Sequence, residues 1–283
     1  STQGVSSAAS DVYKRRAFNN ESTIADSINS LRNQTYPIDD IFVIDDGSND
    51  RSVSIAKSCG TKVHTNVNNM GRGFTRAKAM DIAKNDLVVC CDATNELDIN
   101  FVHSGIKAFN DVQVASVFGK ICSKSKSGIV NQWRSVHLFK ENSKYECGFK
   151  KSDLFITYGA IVRKSHIIKV GNFNPKLKHS EDEDLGKRLL TNGYTLLSNH
   201  DLNVYCNFDN SLREVFERYW RWNVGKDQKM SFRDYVHSIK SSIKPMVQED
   251  LQMGHWSCIP ISLICPHYCY FKTLITRGKN KLK

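Results

Sequence analysis

The sequence lacks any apolar stretch long enough to cross a bilayer. Near its end, Trp256 to Phe271 carries no Asp, Glu, Lys or Arg, but Pro260, Pro266 and His267 interrupt it. It also falls short of the ~20 apolar residues that a span needs. The opening Ser1–Ser10 is small and polar, without the apolar segment of a signal peptide, so a chain that does not cross a membrane is expected. Proline is scarce, five residues in 283, and no internal repeat or low-complexity segment occurs, which argues against solenoid and disordered classes. The nine cysteines are odd in number, scattered and without a CxxC pair. That excludes a secreted disulfide framework and predicts free thiols in a reducing compartment. Zinc-finger spacing and an RNA-binding aromatic signature are missing too, so no nucleic acid partner is expected.

What is present is a 40% hydrophobic share, enough for a sizeable core, and a formal charge of +11. The basic excess suits anionic partners such as acidic lipid headgroups or phosphorylated substrates. From Glu21 to about Leu97 helix and strand patterns alternate. Ile24, Ile28 and Leu31 recur at helical spacing up to Tyr36-Pro37, and Ile41–Ile44 is a strand stopping at Asp45-Asp46-Gly47-Ser48. Residues 51–58 read as helix, 62–64 as strand, 66–73 as loop and 74–83 as helix; Leu87–Cys91 is a buried strand ending at Asp92. This repetition predicts an α/β fold, a Rossmann-like, mostly parallel sheet with helices on both faces. Ligands bind such sheets at the carboxyl ends of strands, where Asp46 and Asp92 fall. Further on, Leu185, Leu189 and Leu190 follow the acids 181–184 as a helix stopped by Asn192-Gly193. Ser211 caps another helix, whose apolar face is Leu212, Val215, Phe216, Tyr219 and Trp220.

Several motifs in order then resemble family 2 glycosyltransferases of the GT-A fold. They are Asn20-Glu21-Ser22-Thr23-Ile24, Ile44-Asp45-Asp46-Gly47-Ser48, Asn69-Met70-Gly71 with Thr75-Arg76, and Val88–Thr94 at the place of the family's DxD. Val170-Gly171-Asn172-Phe173, Glu181–Leu185 and Arg218-Tyr219-Trp220-Arg221-Trp222 complete the set, over roughly residues 20–225. The resemblance implies an inverting transfer from a nucleotide-diphosphate sugar to a glycan or lipid-linked acceptor. Asp182 matches the base that deprotonates the acceptor hydroxyl. Glu21, Asp46, Arg76, Asp92, Thr94, Arg218 and Arg221 match donor-binding positions, and Asp92 and Thr94 are the metal candidates. Plainer readings stand beside these. Asp45–Ser48 also makes an ordinary turn, acids 181–184 suit a helix dipole, and Glu214 and Glu217 are spaced to pair with Arg218 and Arg221. Trp133-Arg134 lies in the acceptor region of the family but an aromatic there is as often core.

Three departures qualify the resemblance. The second acid of DxD is Thr94, and a hydroxyl is a poorer ligand than a carboxylate for a hard cation such as Mg²⁺ or Mn²⁺. The position of a metal-binding histidine before Asn207-Phe208 is Cys206, an unsuitable soft ligand, with His200 too far upstream to replace it. Weak or absent metal dependence is therefore expected, with Arg218, Arg221 or Lys226 compensating the diphosphate. Third, the first central strand falls on Ser10–Phe18, where Lys14-Arg15-Arg16 argue for an irregular strand or a different N-terminus. A catalytically weak sugar-nucleotide-binding protein is the alternative; a nucleotidyltransferase trails for want of a basic Gly-rich loop.

The expected domains are a GT-A domain over 1–225, with a nucleotide half to residue 97 and an acceptor half beyond, and a helical extension over 226–283. In the extension, Ser231–Ile243 reads as an amphipathic helix. The apolar stretch after Trp256, followed by Lys272, Arg277, Lys279, Lys281 and Lys283, suits either packing on the catalytic domain or peripheral attachment to an anionic membrane surface on its cytoplasmic side.

Overall fold

The computed structural model describes residues 10–281 except 126, 144, 145 and 225–229, and for 10–17, 222, 224 and 277–281 it describes the backbone. The first elements are β1 (Ser10–Ala17), α1 (Ile24–Arg32), β2 (Asp40–Asp45), α2 (Ser52–Ser58), β3 (Lys62–Thr65), α3 (Arg72–Ile82) and β4 (Leu87–Cys91). Then come β5 (Asn95–Leu97), α4 (Phe101–Gly105), β6 (Val114–Ser123), α5 (Ile129–His137), β7 (Phe149–Lys151), β8 (Gly159–Arg163), α6 (Lys164–Lys169), α7 (Glu181–Thr191) and β9 (Thr195–Cys206). Four helices close the chain: α8 (Leu212–Val224), α9 (Phe232–Ser238), α10 (Lys244–Gln252) and α11 (Ile259–Lys281).

The strands form one sheet in the order β3-β2-β1-β4-β8-β6-β9-β5, with β7 on β9. β1 to β4 run parallel, as their apolar runs and intervening helices predict. β8 runs against both β4 and β6, and β9 against β5 and β7. The sheet is thus mixed rather than mostly parallel, because residues 98–205 do not repeat the strand–helix unit that imposes parallel crossovers. Alternate residues of β4 serve two cores. Val88 and Cys90 pack with Ala79, Met80, Leu185 and Leu189 of α3 and α7. Val89 and Cys91 pack with Leu31, Phe101 and Val102 of α1 and α4.

β1 is central despite its basic triplet. Its ladder to β2 runs in register to Lys14↔Val43 and resumes at Ala17↔Asp45, one residue out of step. The slip falls on Arg15-Arg16, which supports the irregular-strand reading.

By backbone contacts the chain separates into two compact units, one of Ser1–Cys122 with Lys144–Phe208, the other of Ser123–Ser143 with Asp209–Lys283. This division differs from the boundary at 225 read from the sequence. Its cause is apolar: Val215, Phe216, Tyr219 and Trp220 of α8 share a core with Trp133, Ile261, Cys265 and Cys269. Leu212, expected on that face, is exposed instead. Ser211 does cap α8, accepting from the Glu214 amide at 3.3 Å while Glu214 Oε2 accepts from the Ser211 amide at 2.8 Å. The expected helix from Ser231 forms with a capping box to Asp234, but Phe232 and Val236 stay exposed. Trp133 is fully buried and donates its indole N–H to Ser262 Oγ at 2.7 Å, which makes it a core residue and not an acceptor platform. Ser262 donates to Asp250 Oδ2 at 2.6 Å, and His137 Nε2 lies 2.7 Å from Asp250 Oδ1. One buried carboxylate therefore ties α5, α10 and α11 together.

Candidate functional site

Strand order reverses between β1 and β4: the chain builds β2 and β3 on one side, then crosses to β4 on the other. Crevices at such switch points, beyond the carboxyl ends of the strands, are where open α/β sheets bind ligands. Asp92 is the first residue after β4 and Asp46 the first after β2. With β1 between them, these ends stand about 10 Å apart, two strand spacings.

The loops after β1 and β2 are laced together. The Asn20 amide donates to Ser52 Oγ at 2.8 Å, and the Glu21 amide to Asp50 Oδ2 at 3.0 Å. Burial raises the Asp50 pKa, but hydrogen bonds from Ser52 and the Glu21 amide outweigh it and hold the carboxyl below its ordinary value. Glu21 itself accepts from the Arg51 amide at 3.1 Å and the Arg51 Nε at 3.2 Å. Its carboxylate braces the loop before α2.

The paired aspartates divide two tasks. Asp45 makes the turn, accepting from the Gly47 and Ser48 amides at 3.2 and 3.1 Å and from Ser48 Oγ at 2.5 Å. Asp46, fully buried, holds the next loop: Oδ1 accepts from Asn66 Nδ2 at 3.0 Å and the Met70 amide at 2.8 Å, and Oδ2 from the Gly71 amide at 3.0 Å. Asp46, which the resemblance matches to a contact with base or ribose, thus also supports the loop that would line the crevice.

That loop leads into α3. At Gly73 an added Cβ would lie 2.1 Å from Asn174 O and 2.7 Å from Leu177 O, so only glycine lets the 174–177 segment approach. The Gly73 amide donates to Leu177 O at 2.9 Å. This close approach brings the start of α7 onto α3. Arg76 is 1% exposed, makes an ion pair with the fully buried Glu181, and places Nη1 3.7 Å from Asp182 Oδ2. Its guanidinium also stands 5.6 Å from the Phe173 ring centroid. Arg76, which the resemblance matches to a donor-binding position, also pairs with the acids of α7. Those acids are sorted by position: Glu183 pairs with Lys187 and Asp184 with Arg188 one turn on, while half-buried Asp182 faces Arg76.

Asp92 and Thr94 occupy the turn from β4 to β5. The Asp92 amide donates to Tyr158 O at 3.2 Å, and Thr94 Oγ1 donates to Asn95 Oδ1 at 3.3 Å. Cys206 is opposite Asn95 in the β5–β9 ladder, and the Asn207 amide donates to Thr94 O at 2.8 Å. The position suspected from register is therefore beside the DxD-like turn. Its thiol is buried and directed at Phe208 O, 3.9 Å away. A divalent cation wants several hard oxygens, and this turn offers one carboxylate, one hydroxyl and a soft thiol. Among the described residues no group of three or more His, Cys, Asp or Glu is placed to hold a metal ion. The residues present are a poor protein ligand set for Mg²⁺ or Mn²⁺.

Arg218 and Arg221 lie on α8 in the second unit. Arg221 Nε donates to Glu217 O at 3.2 Å, and the Arg218 charge helps hold the Glu214 carboxyl low against burial and after hydrogen bonds from Ser211. The Arg218 contribution is the pairing expected on the helix surface, whereas the Arg221 bond goes to the backbone of Glu217 and not to its carboxylate. Lys226 lies outside the described residues. Sequence reasoning gave Asn66 no role and quoted Glu181 only within the acidic motif, without its partner Arg76.

The family model described as Glycosyl transferase family 2 matches residues 16–171. An uncharacterized glycosyltransferase of Methanocaldococcus jannaschii is 29% identical over 186 residues, 62% of each chain. A hyaluronan synthase of Streptococcus pyogenes is 24% identical over 116 residues, 37% of this chain and 27% of that one. The chain thus spans less than two thirds of the length of these curated relatives. Among solved structures, a mannosyltransferase of Pyrobaculum calidifontis in complex with GDP-Man and Mn²⁺ superposes with a TM-score of 0.59 at 14% identity, covering 96% of this chain and 79% of that one.

Proposed function

The chain belongs to glycosyl transferase family 2, and from that premise we propose that it transfers a sugar, with inversion, from a nucleotide-diphosphate donor to a glycan or lipid-linked acceptor. The observation that supports the reading is the joining of Arg76 to Glu181 and Asp182. Asp182 is the one acid of its run that is both partly exposed and held by a buried cation. In this reading its carboxylate takes the proton of the acceptor hydroxyl as that oxygen bonds to the anomeric carbon. The bond from that carbon to the phosphate oxygen breaks on the opposite face, and the nucleoside diphosphate leaves with the electron pair. Asp92 stands nearest the donor's ribose and diphosphate, with Thr94 beside it, while Glu21 and Asp46 shape the crevice through their loops. No step is routed through a metal.

The relatives named above support a sugar-nucleotide donor without identifying the sugar. Polysaccharide assembly and a cytoplasmic place complete the proposal, the latter supported by nine free thiols. No helix among the described residues is long and apolar enough to cross a membrane.

Thermal stabilisation across a panel of nucleotides and sugar nucleotides should reveal the donor, followed by a transfer assay. Asp182→Asn should keep the stabilisation and lower turnover by about 10²–10⁴-fold, the range of general-base contributions. An unchanged rate in that variant would remove Asp182 from the mechanism. The poor metal set favours one alternative, a sugar-nucleotide-binding protein without turnover. Stabilisation of the wild-type chain with no transfer or donor hydrolysis would select it.

A further inference from the structure

The second unit ends in a helix with two apolar sides. Cys258, Ile261, Cys265 and Cys269 are buried in that unit's core. On the other side Trp256, Leu263, Ile264, Phe271, Leu274 and Ile275 are exposed, with Trp256, Phe271 and Ile275 at 68%, 58% and 60%. Counted from Trp256 they recur at i+7, i+8, i+15, i+18 and i+19, which keeps them on one stripe of a helix. At ~1.5 Å per residue that stripe runs about 28 Å.

Charge is distributed to match. The second unit holds 17 of the 40 Lys and Arg but only eight of the 29 Asp and Glu, so it carries +9 of the chain's +11. No acid follows Asp250. Between Trp256 and Thr276 the single charged residue is Lys272, and it is paired with Glu217. In the same unit Arg233, Lys240 and Lys244 are exposed, while the carboxylate of Asp234 is engaged by Ser231 in the cap of α9. The side chains of Arg277, Lys279 and Lys281 lie outside the described residues.

We infer that the exposed stripe of α11, with the turn at Trp256, is a docking surface for the face of an anionic phospholipid bilayer. An apolar stripe that is itself free of acids, on a unit with a basic excess, lies in the boundary between headgroups and acyl chains, and does not span. Anionic lipid adds attraction from each basic residue near the surface. The stripe offers few of the hydrogen-bonding groups that a protein interface carries. A second copy of the chain would bring one +9 unit against another, which opposes self-association. The inference depends on no assignment of the sugar-transfer site, so it can fail while that reading stands.

The test is co-sedimentation of the full chain with phosphatidylcholine vesicles, with and without phosphatidylglycerol. Binding is expected to vesicles containing phosphatidylglycerol and to weaken with salt. Leu263→Ser with Phe271→Ser should lower that binding by about tenfold or more, from the loss of two large apolar groups. Both positions are exposed, so thermal unfolding should be unchanged. Lys240→Glu with Lys244→Glu should lower binding to the phosphatidylglycerol vesicles alone. Equal binding by the Ser variant overturns the proposal. So does an absence of binding to the phosphatidylglycerol vesicles; a wild-type dimer, or a complex with an acidic protein, that the Ser variant disrupts would then assign the stripe to that partner.

Discussion

Arg76 shows how a single side chain can be recognised in sequence while its partner is not. The Thr75-Arg76 pair was legible as a motif and Glu181–Asp184 as another, but nothing in either announces that they meet across 105 positions. Their meeting depends on Gly73 and on the 174–177 segment, both long-range features. A buried arginine facing a buried glutamate leaves a strong asymmetry. Removing one partner strands a charge in a low-dielectric site at a cost of about 3–5 kcal/mol, whereas replacing both costs less. Arg76→Met should therefore destabilise by that order in urea denaturation, and adding Glu181→Gln should recover part of the loss. Equal destabilisation in the single and double variants would show that the pair is not the unit of stability. The aspartates teach a related lesson. Asp45 and Asp46 were legible as a strand-end pair, yet their division into turn-maker and loop brace is set by the amides of residues 47–48 and 66–71.

Elements were legible where burial is uniform and blind where it is not. β4 lies on Leu87–Cys91 as read, since five apolar residues closed by Asp92 are the length of a buried strand and too short for a helix. β1 was obscured because its basic triplet contradicts a central place, and the slip that accommodates it leaves no mark in composition. The antiparallel half was not legible either, because short strands such as β5 and β7 carry too few residues for periodicity. Glycine at 73 is the element-scale constraint with the sharpest consequence. Gly73→Ala should push the 174–177 segment away from α3, costing about 1–3 kcal/mol as overpacking does. Turnover should fall with it, because Asp182 follows that segment. A lowered melting temperature with undiminished turnover would separate the close approach from the site.

For the molecule as a catalyst, the question is how a basic chain meets the charge of a leaving diphosphate. Thr94 and the buried Cys206 make a poor cation site, so the proposed transfer needs little from a metal. Transfer assayed in excess chelator should keep most of its rate; complete loss, restored by Mn²⁺, would refute this. The division of the molecule carries a different consequence, one of time. Trp133 finds its partner Ser262 129 residues later in the chain. At ribosomal speeds of about 5–20 residues per second, α5 waits roughly 6–26 s on the nascent chain before the helix that covers it is made. During that interval Trp133 and Val136 are sticky, unfinished surface. The finished fold conceals that interval, in which the unfinished surface is open to misassociation.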